Sequence, residues 1–260
     1  MDGITPPSAR WHRSLTDQAA VTVRHLDVSY GSVQALRDIS FTVAPGQLIG
    51  IFGPNGAGKS TLIKAMLGLV PASGSVLYGD RPLAEQLAQV AYVPQRSQID
   101  WTFPATVWDV VLMGRVRQAG YLHRFSARSR YIAAEALERV GMAAHRNRRI
   151  GQLSGGQQQR VFLARAIAQE AEIFCFDEPF VGVDQKTETI LFSIFRELAS
   201  TGKTIFVVNH DLGESIANFD QLVLLNRELI AVGSRSQVLT LDHMTRAYGG
   251  YVNFYAQEAA

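Results

Sequence analysis

Residues 53 to 61 read GPNGAGKST and match the spacing G-x-x-x-x-G-K-[ST] at Gly53, Gly58, Lys59 and Ser60. Glycines let such a loop curl until successive backbone N–H groups point inward at phosphate oxygens, and a helix start behind it adds partial positive charge. Lys59 would then reach the β and γ phosphates of a nucleotide and Ser60 would ligate Mg²⁺, with Asn55, Gly56 and Thr61 in the same nucleotide-binding stretch. A second stretch, FCFDEP, carries an apolar run into Asp177 and Glu178. Asp177 at the end of a buried strand can hold the metal directly or through water, and Glu178 falls where an attacking water would lose its proton. Adjacent carboxylates also occur as solvated surface pairs; beside a phosphate loop the catalytic reading takes precedence.

A third stretch, IGQLSGGQQQRVFLARA from Ile150 to Ala166, begins with glycines where a helix starts. Ser154 followed three residues later by Gln157 fits a capping box. The cap leaves Gly155 and Gly156 unexplained, since each is about 1 kcal/mol worse than alanine inside a helix. Bare backbone at a helix start admits an anion close to the N–H groups, so a docked phosphate would compensate. Two phosphate-facing surfaces on one chain suggest a symmetric pair, each nucleotide lying between the first surface of one copy and the second surface of the other.

These residues need a scaffold, and a chain of 260 residues with 47% hydrophobic content can bury a substantial core. Its 25 basic and 23 acidic residues leave a formal net charge of +2, so no bias toward nucleic acid is visible. VTVRHLDVSY and ISFTV, with Ile39, Phe41 and Val43 on one face, predict a small antiparallel sheet. QLIGIF is continuously apolar, the sign of a strand buried on both faces, and it runs into the phosphate loop and a helix from near Lys59. EIFCF ending at Asp177 and TIFVV ending at His210 share that character, each followed by helix-compatible sequence, which predicts a mostly parallel sheet with its site at one edge. Helical spacing in TVWDVVLMG and YIAAEALERVG predicts an inserted helical subdomain over about 96–160, its first helix capped by Thr106 and Asp109.

Residues 1–19 are expected to form a mobile tail and 236–260 a short C-terminal extension too small for its own core. Cys175 is the only cysteine and sits between Phe174 and Phe176, which suggests a buried thiol with no redox role. No signal core or membrane-spanning run is present, so a cytoplasmic chain is expected. The six histidines show no metal-ligand spacing.

GPNGAGKST, LSGGQQQR, FCFDEP and VVNHD, in that order, resemble the ATP-binding cassette (ABC) ATPases, over about residues 20 to 235. The resemblance implies a P-loop ATPase of the α/β class with an N-terminal antiparallel β subdomain, ATP and Mg²⁺ as cofactors, and a head-to-tail dimer. Ser154, Gly155, Gly156 and Gln157 would face the γ-phosphate bound by the partner chain. Tyr30, in VSYG, is similar to the aromatic that stacks on adenine, although a strand aromatic also serves in a cross-strand pair. Gln95, in YVPQ, resembles the glutamine that contacts the metal and the attacking water. His210 resembles the histidine that hydrogen-bonds the γ-phosphate, and Asp184 the aspartate of a loop crossing the dimer interface.

VGVD stands where many cassettes have Ser-Ala-Leu-Asp, which puts the contacts of Val181 and Gly182 in doubt. EPFVGVD together with RSQIDWTFPATVWDVVLMGR resembles the cassettes of metal-ion importers for manganese, zinc or iron. That implies an ATPase subunit on the inner face of the cell membrane, acting with integral permease subunits and, through them, an extracytoplasmic metal-binding protein. Trp101, Phe103 and Trp108 would line the groove that receives a permease helix, with ordinary core packing as the alternative for Trp108. A cassette for an iron chelate or cofactor, or one acting in DNA repair or translation, is the rival reading.

Overall fold

The computed structural model describes residues 20–119 and 124–249. The tail expected over 1–19 lies outside the described residues. β1 (Val21–Tyr30) and β2 (Val33–Val43) pair antiparallel, as their alternation predicts. β3 (Leu48–Phe52) leads through the glycine loop into α1 (Lys59–Met66). β4 (Ser73–Tyr78) and β5 (Arg81–Pro82) then complete a sheet of order β2-β1-β4-β5.

The second sheet holds the chemistry. It takes β6 (Val90–Val93), β7 (Ile173–Asp177), β8 (Thr204–Val208), β9 (Gln221–Asn226) and β10 (Glu228–Gly233) in the order β10-β9-β3-β8-β7-β6. Every neighbouring pair is parallel except β9 with β10. β3, β7 and β8 are buried at every residue, which explains their unbroken apolar sequences. Alternate residues feed two separate cores: Ile49, Ile51, Cys175 and Phe206 join Leu62 and Ile63 of α1, while Leu48, Phe52, Phe174 and Phe176 join the opposite face. Cys175 is a fully buried free thiol in the first of these, its pKa raised by burial.

Helices α2 (Val107–Met113), α3 (Ala127–Arg139) and α4 (Gly155–Ala168) occupy the inserted stretch, and α4 runs eight residues beyond position 160. Thr106 and Asp109 form the expected capping box on α2. Arg115, just past α2, donates to the Ala168 carbonyl at 2.8 Å and to Glu170 at 2.7 Å, tying that helix to the end of α4. α5 (Gln185–Ser200) covers the sheet with Leu191, Phe195 and Leu198.

The strand expected to reach His210 stops at Val208, and the segment after it is a short 3-10 turn over Glu214–Asn218, not an α-helix. Two local hydrogen bonds account for this: Asn209 Oδ1 accepts from the Asp211 N–H at 3.1 Å and Asp211 Oδ1 from the Gly213 N–H at 2.9 Å, each turning the chain. After β10, α6 (Arg235–Val238) and α7 (Leu241–Tyr248) fold back, burying Val238, Met244 and Ala247 in the same core as α5. Among the described residues no helix is long and apolar enough to cross a membrane.

Phe195 is fully buried and packs its ring 4.6 Å from Phe176 and 6.2 Å from Phe192. Replacing it with alanine should cost about 3–5 kcal/mol of stability, read as a lower midpoint in urea denaturation.

Candidate functional site

The loop between β3 and α1 sits at the carboxyl edge of the parallel sheet. Gly56 has open space where a Cβ would stand, and Gly58 adopts φ 94° with Leu36 and the Ala35 carbonyl pressed against it, so only glycine fits there. Residues 55–61 and Glu178 enclose a cavity of about 180 Å³. Lys59 is buried and folds back, its Nζ donating to the carbonyls of Gly53 at 2.8 Å and Pro54 at 3.0 Å. Burial pulls its ammonium below the ordinary lysine range, against the opposing charges of Glu178 and Asp177.

Ser60 Oγ donates to Asp177 Oδ1 at 2.8 Å, joining the start of α1 to the end of β7. The other oxygen, Asp177 Oδ2, is buried without a hydrogen-bond partner. Burial raises the Asp177 carboxyl above its ordinary value; the Ser60 hydrogen bond, Lys64 and Lys59 oppose that rise, and Glu178 adds to it. A buried carboxylate oxygen left over beside a serine hydroxyl is a donor set suited to a hard cation.

Glu178 follows with φ 53°, a left-handed backbone that turns it out of the strand line, and its N–H donates to the Val208 carbonyl at 3.2 Å. Gln95, just past β6, reaches across to donate from Nε2 to Glu178 Oε2 at 2.5 Å. Ser97 holds the other end of that amide, donating to Gln95 Oε1 at 3.2 Å. Lys59, Ser60, Gln95, Asp177 and Glu178 are thus brought together from β3–α1, β6 and β7.

The remaining expected residues stand apart. Tyr30 ends β1 half-exposed, beside the hairpin turn where it pairs with Val33. His210 is exposed two residues beyond β8. Asp184 caps α5, accepting from the Thr187 N–H at 2.8 Å; hydrogen bonding from the Thr187 side chain and then from its backbone holds the carboxyl below the ordinary range. Ser154 and Gln157 form the expected capping box on α4, and neither they nor Gly155 and Gly156 line the loop's cavity.

The two glycines of α4 have a local reason that the sequence argument missed. A Cβ on Gly156 would lie 2.8 Å from Thr187 Oγ1, and one on Gly155 would lie 3.1 Å from the Gly182 carbonyl. The segment 182–187 therefore lies close enough to crowd a side chain at either position, which is compatible with a phosphate docking on the helix start. Ser97 and Thr187 were not legible as supports, because a lone hydroxyl in sequence does not reveal which loop it will meet. The same holds for Arg96, which donates twice to Gln158 Oε1, at 3.2 and 2.9 Å, and steadies the first turn of α4.

A separate, largely apolar cavity of about 190 Å³ is lined by Trp101, Phe103, Val110, Met113 and Phe162 among others. Trp108 does not belong to it; that ring lies partly buried with the Arg146 guanidinium 4.3 Å above it.

A family model described as ABC transporter matches residues 36–181, more than half of the chain. The chain belongs to the ABC transporter family. The chain is an ABC ATPase, and two of its relatives are similar over nearly their full lengths. The manganese transport system ATP-binding protein of Halalkalibacterium halodurans is 49% identical over 92% of this chain and 95% of that protein. The zinc transport system ATP-binding protein of Treponema pallidum is 47% identical over 90% of this chain and 88% of that protein. The ADP conformation of an ATP-binding cassette of an ABC transporter superposes with a TM-score of 0.76 at 26% identity, over 90% of this chain and 99% of that one.

Because the Asp177 pKa is raised on folding, the folded ABC ATPase holds that proton more tightly than the unfolded chain does. The associated stability is full below the ordinary carboxyl value of 3.8 and is lost as the pH climbs through the folded value. Without nucleotide and with Mg²⁺ chelated, Asp177→Asn should therefore melt above the parent at neutral pH, and the gap should narrow toward pH 4. Thermal melts of both proteins across that range check the sign.

Proposed function

We propose that this ABC ATPase binds ATP with Mg²⁺, closes with a second copy of itself, and powers import of a divalent metal ion through a separate membrane permease. The observation that carries the chemistry is the run of contacts from Ser60 to Asp177 and from Gln95 to Glu178 at the mouth of the phosphate loop. The near full-length similarity to a manganese transport ATP-binding protein supports the cargo, with manganese favoured and zinc or iron as the other candidates.

Ser60, Asp177 and Gln95 would hold Mg²⁺, which when bound offsets the negative charge of the triphosphate. Lys59 leaves the Gly53 and Pro54 carbonyls for phosphate oxygens, an exchange of neutral acceptors for charged ones that favours the bound position. Gly53, Asn55, Gly56, Gly58 and Thr61 shape the loop around the phosphates, and Tyr30 stacks on the adenine. Gln95 restrains Glu178 until the nucleotide draws the amide away; the carboxylate then accepts the proton of the attacking water. His210 donates to the γ-phosphate, while Ser154, Gly155, Gly156 and Gln157 meet the phosphate held by the partner copy. Asp184 sits on the loop between the two sites.

In this reading the apolar cavity at Trp101 and Phe103 receives a short helix of the permease, and the chain works at the cytoplasmic face of the cell membrane. Phe103 is 56% and Met113 44% exposed beside that cavity, apolar surface that such a helix would cover. An extracytoplasmic metal-binding protein would deliver the ion to the permease, so the cargo would not meet this chain.

Glu178→Gln should lower ATP turnover at least about 100-fold while ATP binding survives, checked by phosphate release and by nucleotide titration. Unchanged turnover would remove Glu178 from the base role. Lys59→Ala in the native host should lower cell-associated manganese under manganese limitation, measured by elemental mass spectrometry alongside zinc and iron. A fall confined to zinc or iron would reassign the cargo, and no change in any metal with ATPase activity lost would refute metal import.

A further inference from the structure

Arg96 stands between the two surfaces that face phosphate. It directly follows Gln95, whose amide reaches Glu178 at 2.5 Å, and its own side chain reaches the start of α4. There Nε and Nη2 both donate to Gln158 Oε1, at 3.2 and 2.9 Å. Gln158 is buried in the first turn of α4, and its Nε2 donates in turn to the Ile150 carbonyl at 3.2 Å. The amide is thus used at both ends, so it cannot follow a departing arginine without giving up a buried hydrogen bond.

The backbone of Arg96 is held as well. Trp101 Nε1 donates to its carbonyl at 3.0 Å, and the guanidinium lies 5.5 Å from the centre of that indole ring. Nη1 takes no part in the pair of bonds to Gln158 and lies against two glycines: a Cβ on Gly155 would stand 3.2 Å from it, and one on Gly182 3.6 Å. The helix dipole opposes a cation at this end of α4. What keeps the guanidinium there is the paired, charge-assisted bond to Gln158, not attraction to the helix end.

These contacts form a short chain. Glu178 binds the amide of Gln95, the next residue binds Gln158, and Gln158 belongs to the turn that begins with Gly155 and Gly156. A displacement of Gln95 is therefore felt at the start of α4. The later turns of that helix have their own tie to β6, since Arg165 Nη2 donates to the Tyr92 carbonyl at 3.0 Å. Loss of Arg96 would loosen the first turn and leave the rest of α4 in place.

We propose that Arg96 is a positioning residue for the pairing of two copies, holding the start of α4 in the place relative to Gln95 from which it can meet the phosphate bound by the other copy. This rests on the reading that the chain closes on ATP with a second copy of itself.

The test uses the full chain carrying Glu178→Gln, in which ATP should bind with little turnover, and follows ATP-driven pairing by sedimentation velocity. With Arg96→Ala added, the ATP concentration for half-maximal pairing should rise about tenfold, the effect of losing a hydrogen bond from a charged donor. A fluorescent ATP analogue should bind the single copy as before, at protein concentrations too low for pairing, and the nucleotide-free melting temperature should stay the same. Arg96→Lys, which keeps one donor for Gln158, should recover part of the pairing. Pairing at the unchanged ATP concentration, a loss matched by weaker binding to the single copy, a lower melting temperature, or a loss that Arg96→Lys does not lessen would each overturn the proposal. If Glu178→Gln alone failed to pair with ATP, the pairing reading itself would fall, and the role of Arg96 with it.

Discussion

A carboxylate held 1% exposed at the tip of β7 is the constraint around which the site is arranged. Taking an ionised group out of water costs several kcal/mol even after the protein relaxes, unless partners replace the lost solvation. Asp177 receives one such partner, the Ser60 hydroxyl, with Lys59 and Lys64 near enough to moderate its charge. The arrangement requires the start of α1 to lie over the end of β7. Only a sheet buried on both faces, with β3 and β7 flanking β8, fixes that placement. The fold gives Asp177 Oδ2 no hydrogen-bond partner, which suits this edge of the sheet to a cation together with a polyanion.

Much of this was legible in the sequence because its signals are local. Continuous apolar runs such as LIGIF and TIFVV report strands covered on both sides, and the glycine spacing at 53–58 reports a backbone that side chains would block. Capping boxes at Thr106 and Ser154 lie within four residues and were read correctly. What escaped was contact between distant segments. Asn209 and Asp211 ended β8 earlier than its apolar run implied, since side chains that turn the chain compete with the strand ladder. Gly156 offers bare backbone at a helix start, and the nearness of Thr187, which a Cβ there would meet at 2.8 Å, is a second reason for glycine that no local spacing reports.

The supporting residues share that obscurity. Ser97 holds an amide two positions away, but the amide matters only because it crosses from β6 to Glu178 beside β7. Arg227, whose N–H donates to the Ala57 carbonyl of the glycine loop at 2.9 Å, is of a type common on protein surfaces, and no spacing in the chain points it at a loop near its start. Its contribution comes from the parallel pairing of β9 with β3, which carries the turn after β9 to the same edge as the glycine loop.

The closeness of Thr187 to Gly156 also ties together two helix starts. Thr187 gives its backbone N–H to Asp184, so one residue lies beside the glycine start of α4 and is tethered to the loop that precedes α5. A side chain at position 156 would have to displace Thr187 and with it the cap of α5, so bare backbone there is what lets the two helices begin side by side.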